Sequence, residues 1–135
     1  MAILSSLSKY KNTGLLIIRV GLGIMFIFHG YPKLLGGPDK WMAVGTSMKH
    51  IGITFLPEVW GFMAAATETF GGFLLILGLA FRPVTLLLTF TMAIAALMHL
   101  KNGDGLMAAS HAIETGIVFL GLTFIGPGKY SVDKK

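Results

Sequence analysis

The stretch that decides the fold reads Val59-Trp-Gly-Phe-Met-Ala-Ala-Ala-Thr-Glu-Thr-Phe-Gly-Gly-Phe-Leu-Leu-Ile-Leu-Gly-Leu-Ala80, and its 22 residues are apolar almost throughout. A helix that crosses a bilayer needs about 20 apolar residues, so this length predicts a membrane span. Glu68 is the exception, close to the middle. A carboxylate there costs about 3 kcal/mol even on lenient insertion scales. The rest of the chain must therefore place compensating groups near Glu68.

The composition of the chain predicts one integral membrane domain over residues 1–135. Hydrophobic residues make up 54% of the sequence and charged residues only 13%, whereas a soluble domain carries about 25% charged residues. The net charge of +5 comes from basic residues scattered singly between apolar blocks. This pattern predicts contact with anionic membrane lipids and no nucleic-acid partner. Because the chain has no cysteine, it supplies no disulfide, redox thiol or iron–sulfur ligand of its own.

Four apolar segments predict an all-α fold, an integral membrane four-helix bundle. The predicted spans cover about residues 14–35, 58–80, 84–100 and 106–125. Only Phe81-Arg82-Pro83 separates the second span from the third, so these two form an antiparallel hairpin. Between the first and second spans, apolar residues at roughly helical spacing predict a short amphipathic helix in the membrane interface, with Trp41 at headgroup level. A lid over a site between the spans is a compatible alternative.

The distribution of basic residues predicts the orientation. Four spans place both termini on one side of the membrane. That side carries six basic residues, namely Lys9, Lys11, Arg82, Lys129, Lys134 and Lys135. The other side carries four, namely Lys33, Lys40, Lys49 and Lys101. The positive-inside rule therefore predicts that both termini lie in the cytoplasm.

Ionisable residues inside the spans are expected to converge at one depth. At 1.5 Å per residue, Glu68 lies about 15 Å from the outer end of its span, and His29 lies about 9 Å below the outer end of the first span. On the fourth span, His111 is about 8 Å deep and Glu114 about 12 Å deep. His99 lies at the outer end of the third span. These side chains are predicted to meet in the outer third of the bundle.

The neighbours of Glu68 predict that it faces the bundle interior. Small residues flank it on its helix face, and small residues let another helix approach closely; they are Ala64, Ala65, Gly71 and Gly72. Arg19 lies near the inner end of the first span, and Lys33 near the outer end. Both are expected to snorkel toward the headgroups. We therefore predict that Glu68 lies nearer to His29 or Glu114 than to Arg19.

Three kinds of site fit such a cluster, and a structural role is also open. Imidazole and carboxylate groups suit iron or zinc, with His29, Glu68, His111 and Glu114 as candidate ligands. However, carboxylate-bridged di-iron bundles use Glu-x-x-His pairs, whereas this chain has the order His-x-x-Glu once. A quinone site would use the His and Glu side chains for hydrogen bonds to the carbonyls and for proton transfer, beside an apolar pocket for the tail. A third kind binds or transports another small molecule, and a scaffold would use the cluster only to lock the helices together.

Several short motifs follow one another along residues 14–133. They are Arg19-x-Gly21, His29-Gly30-x-x-Lys33-Leu34, Glu68-x-x-Gly71-Gly72, Leu77-Gly78-Leu79-x-x-Arg82-Pro83, His111-x-x-Glu114 and Gly126-Pro-Gly-Lys-Tyr-Ser131. Their order and spacing resemble the DoxX family of small bacterial membrane proteins. The resemblance implies a four-helix bundle in the inner membrane. The family takes its name from a subunit of an archaeal terminal quinol oxidase, and other members are linked to membrane oxidoreductase complexes.

The resemblance and the polar cluster together predict a redox-associated accessory subunit that binds quinone or a similar lipid-soluble molecule. The candidate ligand-binding residues are His29, Lys33, Glu68, His99, His111 and Glu114. Glu68 and Glu114 would accept protons, and the histidines would donate or accept hydrogen bonds. No catalytic residue is assigned, because the electron-transfer centre is expected on a partner oxidoreductase subunit. Assembly into a homo-oligomer is left open.

Overall fold

The long apolar segments of the chain are all helical. The computed structural model describes residues 3–134, and the helices in this range are α1 (Lys11–Leu35), α2 (Gly37–Gly45), α3 (Pro57–Leu77), α4 (Phe81–Lys101) and α5 (Leu106–Ile125). Short 3₁₀ helices at Ser5–Tyr10 and Thr46–Ile51 precede α1 and follow α2. The helices α1, α3, α4 and α5 are long and apolar enough to cross a membrane. The all-α, four-span prediction is therefore confirmed. Lys135, counted above for orientation, and the first two residues lie outside the described range.

A glycine ends α3, whereas two prolines lie within helices. α3 ends at Leu77, because Gly78 adopts a left-handed conformation with φ +67°, which terminates a helix at little strain for glycine. α4 begins at Phe81, three residues earlier than predicted. Pro83 does not prevent this, since the first turn of a helix needs no N–H donor from that residue. Pro32 likewise does not end α1, which continues to Leu35.

Glycines let α1 approach α3 closely. A Cβ atom added at Gly23 would lie 2.5 Å from the carbonyl oxygen of Gly72, and one at Gly72 would lie 2.6 Å from the carbonyl oxygen of Gly23. At Gly30, an added Cβ atom would lie 2.7 Å from the Cβ atom of Glu68. The two backbones are therefore in direct contact, as small residues at helix interfaces in membranes allow. This contact fixes the position of the C-terminal end of α1 relative to Glu68. We call this end of the bundle the outer end, and the end near the chain termini the inner end, after the predicted orientation.

The short helix α2 packs tightly against the outer end of α3. A Cβ atom added at Gly45 would overlap the carbonyl oxygen of Pro57, and one at Gly61 would overlap that of Trp41. The indole Nε1 of Trp41 donates to the carbonyl oxygen of Lys33 at 3.1 Å, which ties α2 to the end of α1. α2 is therefore a fixed cover over the outer end of the bundle, as the lid alternative requires. Its position relative to the lipid headgroups stays a prediction.

Arg19 is buried rather than extended toward the headgroups, with 1% of its surface exposed. Its Nε donates to the carbonyl oxygen of Leu75 at 2.9 Å, and its Nη2 donates to that of Ile76 at 2.7 Å. Its Nη1 donates to the carbonyl oxygens of Pro127 and Tyr130 at 3.1 and 2.7 Å. The snorkelling prediction was wrong because carbonyls at a helix C-terminus lack partners within the helix and carry partial negative charge.

The C-terminal segment closes the inner end of the bundle. The carboxylate of Asp133 accepts hydrogen bonds from the backbone N–H groups of Ala80 and Phe81 at 3.1 and 2.8 Å, and so caps α4. The N–H of Lys129 donates to the side-chain oxygen of Asn12 at 2.9 Å, next to the start of α1. The two ends of the described chain therefore lie at the same end of the bundle.

The Arg19→Lys variant is expected to release the C-terminal segment. Lysine is a point charge and cannot reproduce the fork of guanidinium donors, so we expect a loss of about 3 kcal/mol in the free energy of unfolding. Trypsin should then cleave faster after Lys129. Arg82→Lys is the matched control, because Arg82 is exposed and makes one hydrogen bond, to Thr123. Equal cleavage rates in both variants would contradict this role of Arg19.

The Gly61→Ala variant is expected to separate α2 from α3. The added methyl group overlaps the Trp41 backbone, and overpacking of this kind destabilises by about 2 kcal/mol. Gly21→Ala is the control, because an added Cβ atom there meets nothing within 4 Å and alanine favours helix by up to about 1 kcal/mol. Thermal unfolding in detergent should show a lower midpoint for Gly61→Ala only.

Candidate functional site

Glu68 is buried and forms an ion pair with Lys33. The Lys33 Nζ donates to Oε2 of Glu68 at 3.0 Å and to Oε1 at 3.2 Å. Only 4% of Glu68 is exposed, whereas 32% of the Lys33 side chain is exposed. The prediction that Lys33 snorkels to the headgroups was wrong. The backbone contact at Gly30 brings the next turn of α1 within reach of the carboxylate, which could not be buried unpaired without a large penalty.

A cavity of about 200 Å³ adjoins this ion pair. Three histidines line it together with Lys33 and Glu68, and they come from α1, α4 and α5; they are His29, His99 and His111. The remaining wall is apolar and consists of Phe26, Met92, Ala95, Met98, Ala108 and Ala112. The cavity thus combines hydrogen-bonding groups with an apolar wall, as small-molecule sites commonly do.

The histidines are held by contacts with one another and with an acid. The rings of His29 and His111 lie with their centroids 5.3 Å apart across the gap between α1 and α5. One turn or more closer to the inner end of the bundle, the rings of Phe26 and Phe119 pack edge to face with their centroids 5.0 Å apart. The Nδ1 of His99 lies 2.9 Å from a carboxylate oxygen of Asp104. Five of the six candidate residues therefore line one cavity in the outer part of the bundle.

Glu114 does not join this group. Its side chain is exposed and does not line the cavity, although it lies one turn from His111. Three residues of helix rotate by about 300°, so Glu114 lies about 60° further from the buried face than His111, which is already at the edge. The prediction that Glu114 converges with Glu68 was therefore wrong. The prediction that Glu68 faces the bundle interior is confirmed. Glu68 lines the cavity together with His29, as predicted, whereas Arg19 bonds to carbonyl oxygens at the inner end of α3.

The geometry does not assemble the metal site that the sequence left open. Within residues 3–134, no group of three or more histidine and acidic side chains is placed to hold a metal ion. Both oxygens of Glu68 already accept hydrogen bonds from the Lys33 ammonium. A second cation at the same carboxylate would be repelled by that charge. The metal alternative therefore has no support in the described part of the chain.

A second and larger cavity, of about 470 Å³, lies between α2, α3 and α4. It shares four lining residues with the first cavity, namely Lys33, Glu68, Ala95 and Met98. Most of its remaining wall is apolar, and it includes Trp60, whose buried Nε1 has no hydrogen-bond partner within residues 3–134. The quinone alternative expected an apolar pocket beside the polar cluster, but the sequence did not locate it between these helices. The small residues of α3 were interpreted as helix contacts, yet Ala64 lines open space.

Comparisons with known proteins place this architecture in a family. The DoxX family model matches residues 14–100. A Bacillus subtilis (strain 168) protein named "Putative oxidoreductase CatD" is 31% identical over 91% of this chain and 95% of its own length. Two Escherichia coli (strain K12) proteins are each 28% identical. "Inner membrane protein YqjF" aligns over 95% of both chains, and "Inner membrane protein YphA" over 90% of this chain and 89% of its own length.

No solved structure matches the chain. The family model covers most of the four-helix region, and the relatives extend the match to nearly the whole chain. The sequence motifs at Glu68 and Lys33 lie inside the matched range, in the same helices that build the polar cavity. Membrane-spanning architecture and sequence agree, and this chain belongs to the DoxX family of membrane proteins.

Proposed function

We propose that this protein is an accessory subunit of a quinone-linked oxidoreductase system in the bacterial inner membrane. It binds a quinone, or a lipid-soluble molecule of similar chemistry, in the cavity beside the Lys33–Glu68 ion pair. The observation that carries the proposal is this ion pair together with three histidines around one cavity in an otherwise apolar bundle. Ionisable groups inside a membrane are costly and usually mark a functional pathway.

The donors and acceptors in the cavity suit the two carbonyl oxygens of a quinone ring. The Lys33 ammonium and the imidazoles of His29 and His111 can donate hydrogen bonds to such oxygens. The apolar wall, including Phe26 and Met92, suits the faces of a flat ring. The similarity to a relative named as an oxidoreductase also supports a redox role.

The electrons for this chemistry come from a partner. Reduction of a quinone to a quinol takes two electrons and two protons, and a chain without cysteine has no thiol or iron–sulfur centre of its own. In this proposal the electron-transfer centre lies on a partner oxidoreductase subunit, which supplies or removes the electrons. His29, His111 and Glu68 are the groups of this chain that can exchange protons with the ring oxygens.

The proposed orientation places both termini in the cytoplasm and the cavity toward the outer face of the membrane. The bias of basic residues toward the termini supports this orientation. The contact between Lys129 and Asn12 supports a common side for the two termini. The His99–Asp104 pair, at the opposite end of the bundle, would then lie at the outer surface.

A structural role is the competing proposal, because the Lys33–Glu68 ion pair also joins α1 to α3. A scaffold would need the two charges but not the cavity. A variant in which the two charges are exchanged distinguishes the scaffold role from ligand binding. The double variant Lys33→Glu/Glu68→Lys can restore an ion pair between the helices, but it moves the donor and the acceptor to opposite walls of the cavity.

We expect Glu68→Gln to weaken binding of a chainless benzoquinone at least tenfold, which corresponds to about 1.4 kcal/mol. The physical reason is that the neutral amide neither holds the Lys33 ammonium in place nor accepts a proton. Binding is measured with the purified protein in nanodiscs, by quenching of tryptophan fluorescence. Glu58→Gln is the matched control, because Glu58 lies exposed in the first turn of the same helix and should leave binding unchanged.

The charge-exchanged double variant decides between the two roles. If it recovers the thermal stability lost in Glu68→Gln but not the binding, the cavity binds the ligand. If wild-type protein binds no quinone and the double variant restores every measured property, the scaffold role is correct and the quinone proposal is wrong.

A further inference from the structure

The first cavity is too small to hold a whole lipid-soluble ligand. Ligand sites commonly enclose about 300–1,000 Å³, whereas the cavity with the histidines measures about 200 Å³ and the second cavity about 470 Å³. We propose that the second cavity binds the hydrocarbon chain of the ligand whose polar ring lies in the first. This inference rests on the proposed function and adds to it that the ligand carries a long chain.

The two cavities meet at the ion pair. Lys33, Glu68, Ala95 and Met98 line both of them. Ala95 leaves space at this junction, and Met98 has a flexible side chain that adapts its shape to a neighbour. One molecule can therefore extend from the histidines past the ion pair into the second cavity. Its polar end would lie where the hydrogen-bonding groups are, and its chain where they are scarce.

The shape of the second cavity suits an extended chain. Its lining follows α4 from Leu87 to Met98, and these two residues are eleven helical steps apart, or roughly 16 Å at 1.5 Å per residue. The opposite wall follows α3 from Trp60 to Glu68. Ala43 and Val44 of α2 cover the outer end. The cavity is thus an elongated space beneath a cover, as a single hydrocarbon chain requires.

The cavity lies in the outer half of the contact between α3 and α4 and opens toward the lipid. In the inner half the two helices touch, because an added Cβ atom at Gly71 would lie 3.5 Å from the side chains of Val84 and Leu88. Met63 lines the cavity in the outer half of α3, and Leu87 and Phe90 line it near the middle of α4. All three side chains are half exposed. A chain can therefore enter sideways from the bilayer without passing through water.

The test compares two quinones in the wild type and in Ala64→Phe. One is a dimethoxybenzoquinone with a decyl chain, and the other is the same ring without the chain. Ala64 lines the second cavity only, so phenylalanine should fill the space for the chain. We expect Ala64→Phe to weaken binding of the decyl quinone at least tenfold and that of the chainless ring less than twofold. Ala93→Phe, at an exposed alanine outside both cavities, is the control.

Each outcome of this test decides the inference. If the wild type binds the two quinones with equal affinity, the chain site is wrong while the proposed function stands. The same holds if Ala64→Phe weakens binding of both quinones equally. Decanol serves as a third probe, by competition with a fluorescent alkyl chain. If decanol binds and Ala64→Phe abolishes that binding while neither ring responds to Glu68→Gln, the chain site is real and the quinone function is wrong. If no chain-bearing probe binds, the chain site is wrong.

A separate observation concerns Glu114, which lies near mid-membrane on the side of α5 that faces away from the bundle. It is eight residues from Leu106, or roughly 12 Å at 1.5 Å per residue, and its side chain is exposed. The ion pairs within residues 3–134 are Lys33–Glu68 and His99–Asp104, and neither includes Glu114. A carboxylate facing lipid at this depth is costly. The face of α5 that carries it therefore needs a cover.

We infer that this cover is a second copy of the chain. Glu114 is an acceptor, and His111 is also exposed and one turn away. The His111 ring has two nitrogens, so one can serve the cavity while the other donates to a neighbouring chain. A two-fold axis normal to the membrane would place Glu114 of each copy opposite His111 of the other, which satisfies both sites at once. An added Cβ atom at Gly121 meets nothing within 4 Å, so this part of α5 leaves room for close approach by another helix.

Cysteine cross-linking tests the dimer, since the chain contains no cysteine. Val118→Cys lies on the Glu114 face of α5 and is 42% exposed, whereas Phe73→Cys lies on α3 and is 51% exposed. In proteoliposomes of purified protein with a short bismaleimide, we expect a dimer band from Val118→Cys and little from Phe73→Cys. Adding Glu114→Ala should lower the Val118→Cys dimer yield at least threefold. Equal yields at the two sites, or no response to Glu114→Ala, would overturn the inference.

Discussion

The Lys33–Glu68 ion pair is the interaction on which the arrangement of the outer bundle depends. A carboxylate at 4% exposure among apolar helices needs a counter-charge, because an unpaired buried charge is strongly destabilising. Lys33 reaches it only because α1 and α3 touch through their backbones at Gly23, Gly30 and Gly72. The glycines thus set the register of the two helices, and the register brings the two charges together.

An ion pair of this kind is weak evidence for stability alone. The desolvation of two charges offsets most of their attraction, and apolar residues of similar volume often stabilise as well. The location of the pair is more informative than its energy, because it separates two cavities of different character. On one side are three histidines, and on the other a mostly apolar space. A charged pair at that junction can orient an amphiphilic molecule, as the proposed function requires, which an apolar pair could not do.

The sequence predicted the helices and the inward direction of Glu68 because both depend on local properties. The length of a span, its hydropathy and the small residues next to Glu68 can be read directly from the sequence. The depth of a residue in its helix follows from counting residues. The errors at Lys33, Arg19 and Glu114 have a common cause. Each depends on the rotation or register of one helix against another element. The partners of Arg19 include Pro127 and Tyr130, in a segment whose fold-back the sequence pattern does not reveal.

The two ends of the bundle therefore differ in how closely their helices pack. At the inner end, Arg19 and Asp133 tie backbone groups of α3, α4 and the C-terminal segment together, and α3 touches α4 near Gly71. At the outer end, the same two helices have a cavity between them, and α1 and α5 meet there through the side chains of His29 and His111. The closed inner end and the glycine contacts between α1 and α3 hold the helices in register. The outer end can therefore keep open space and polar side chains, which a site for a lipid-soluble ligand needs.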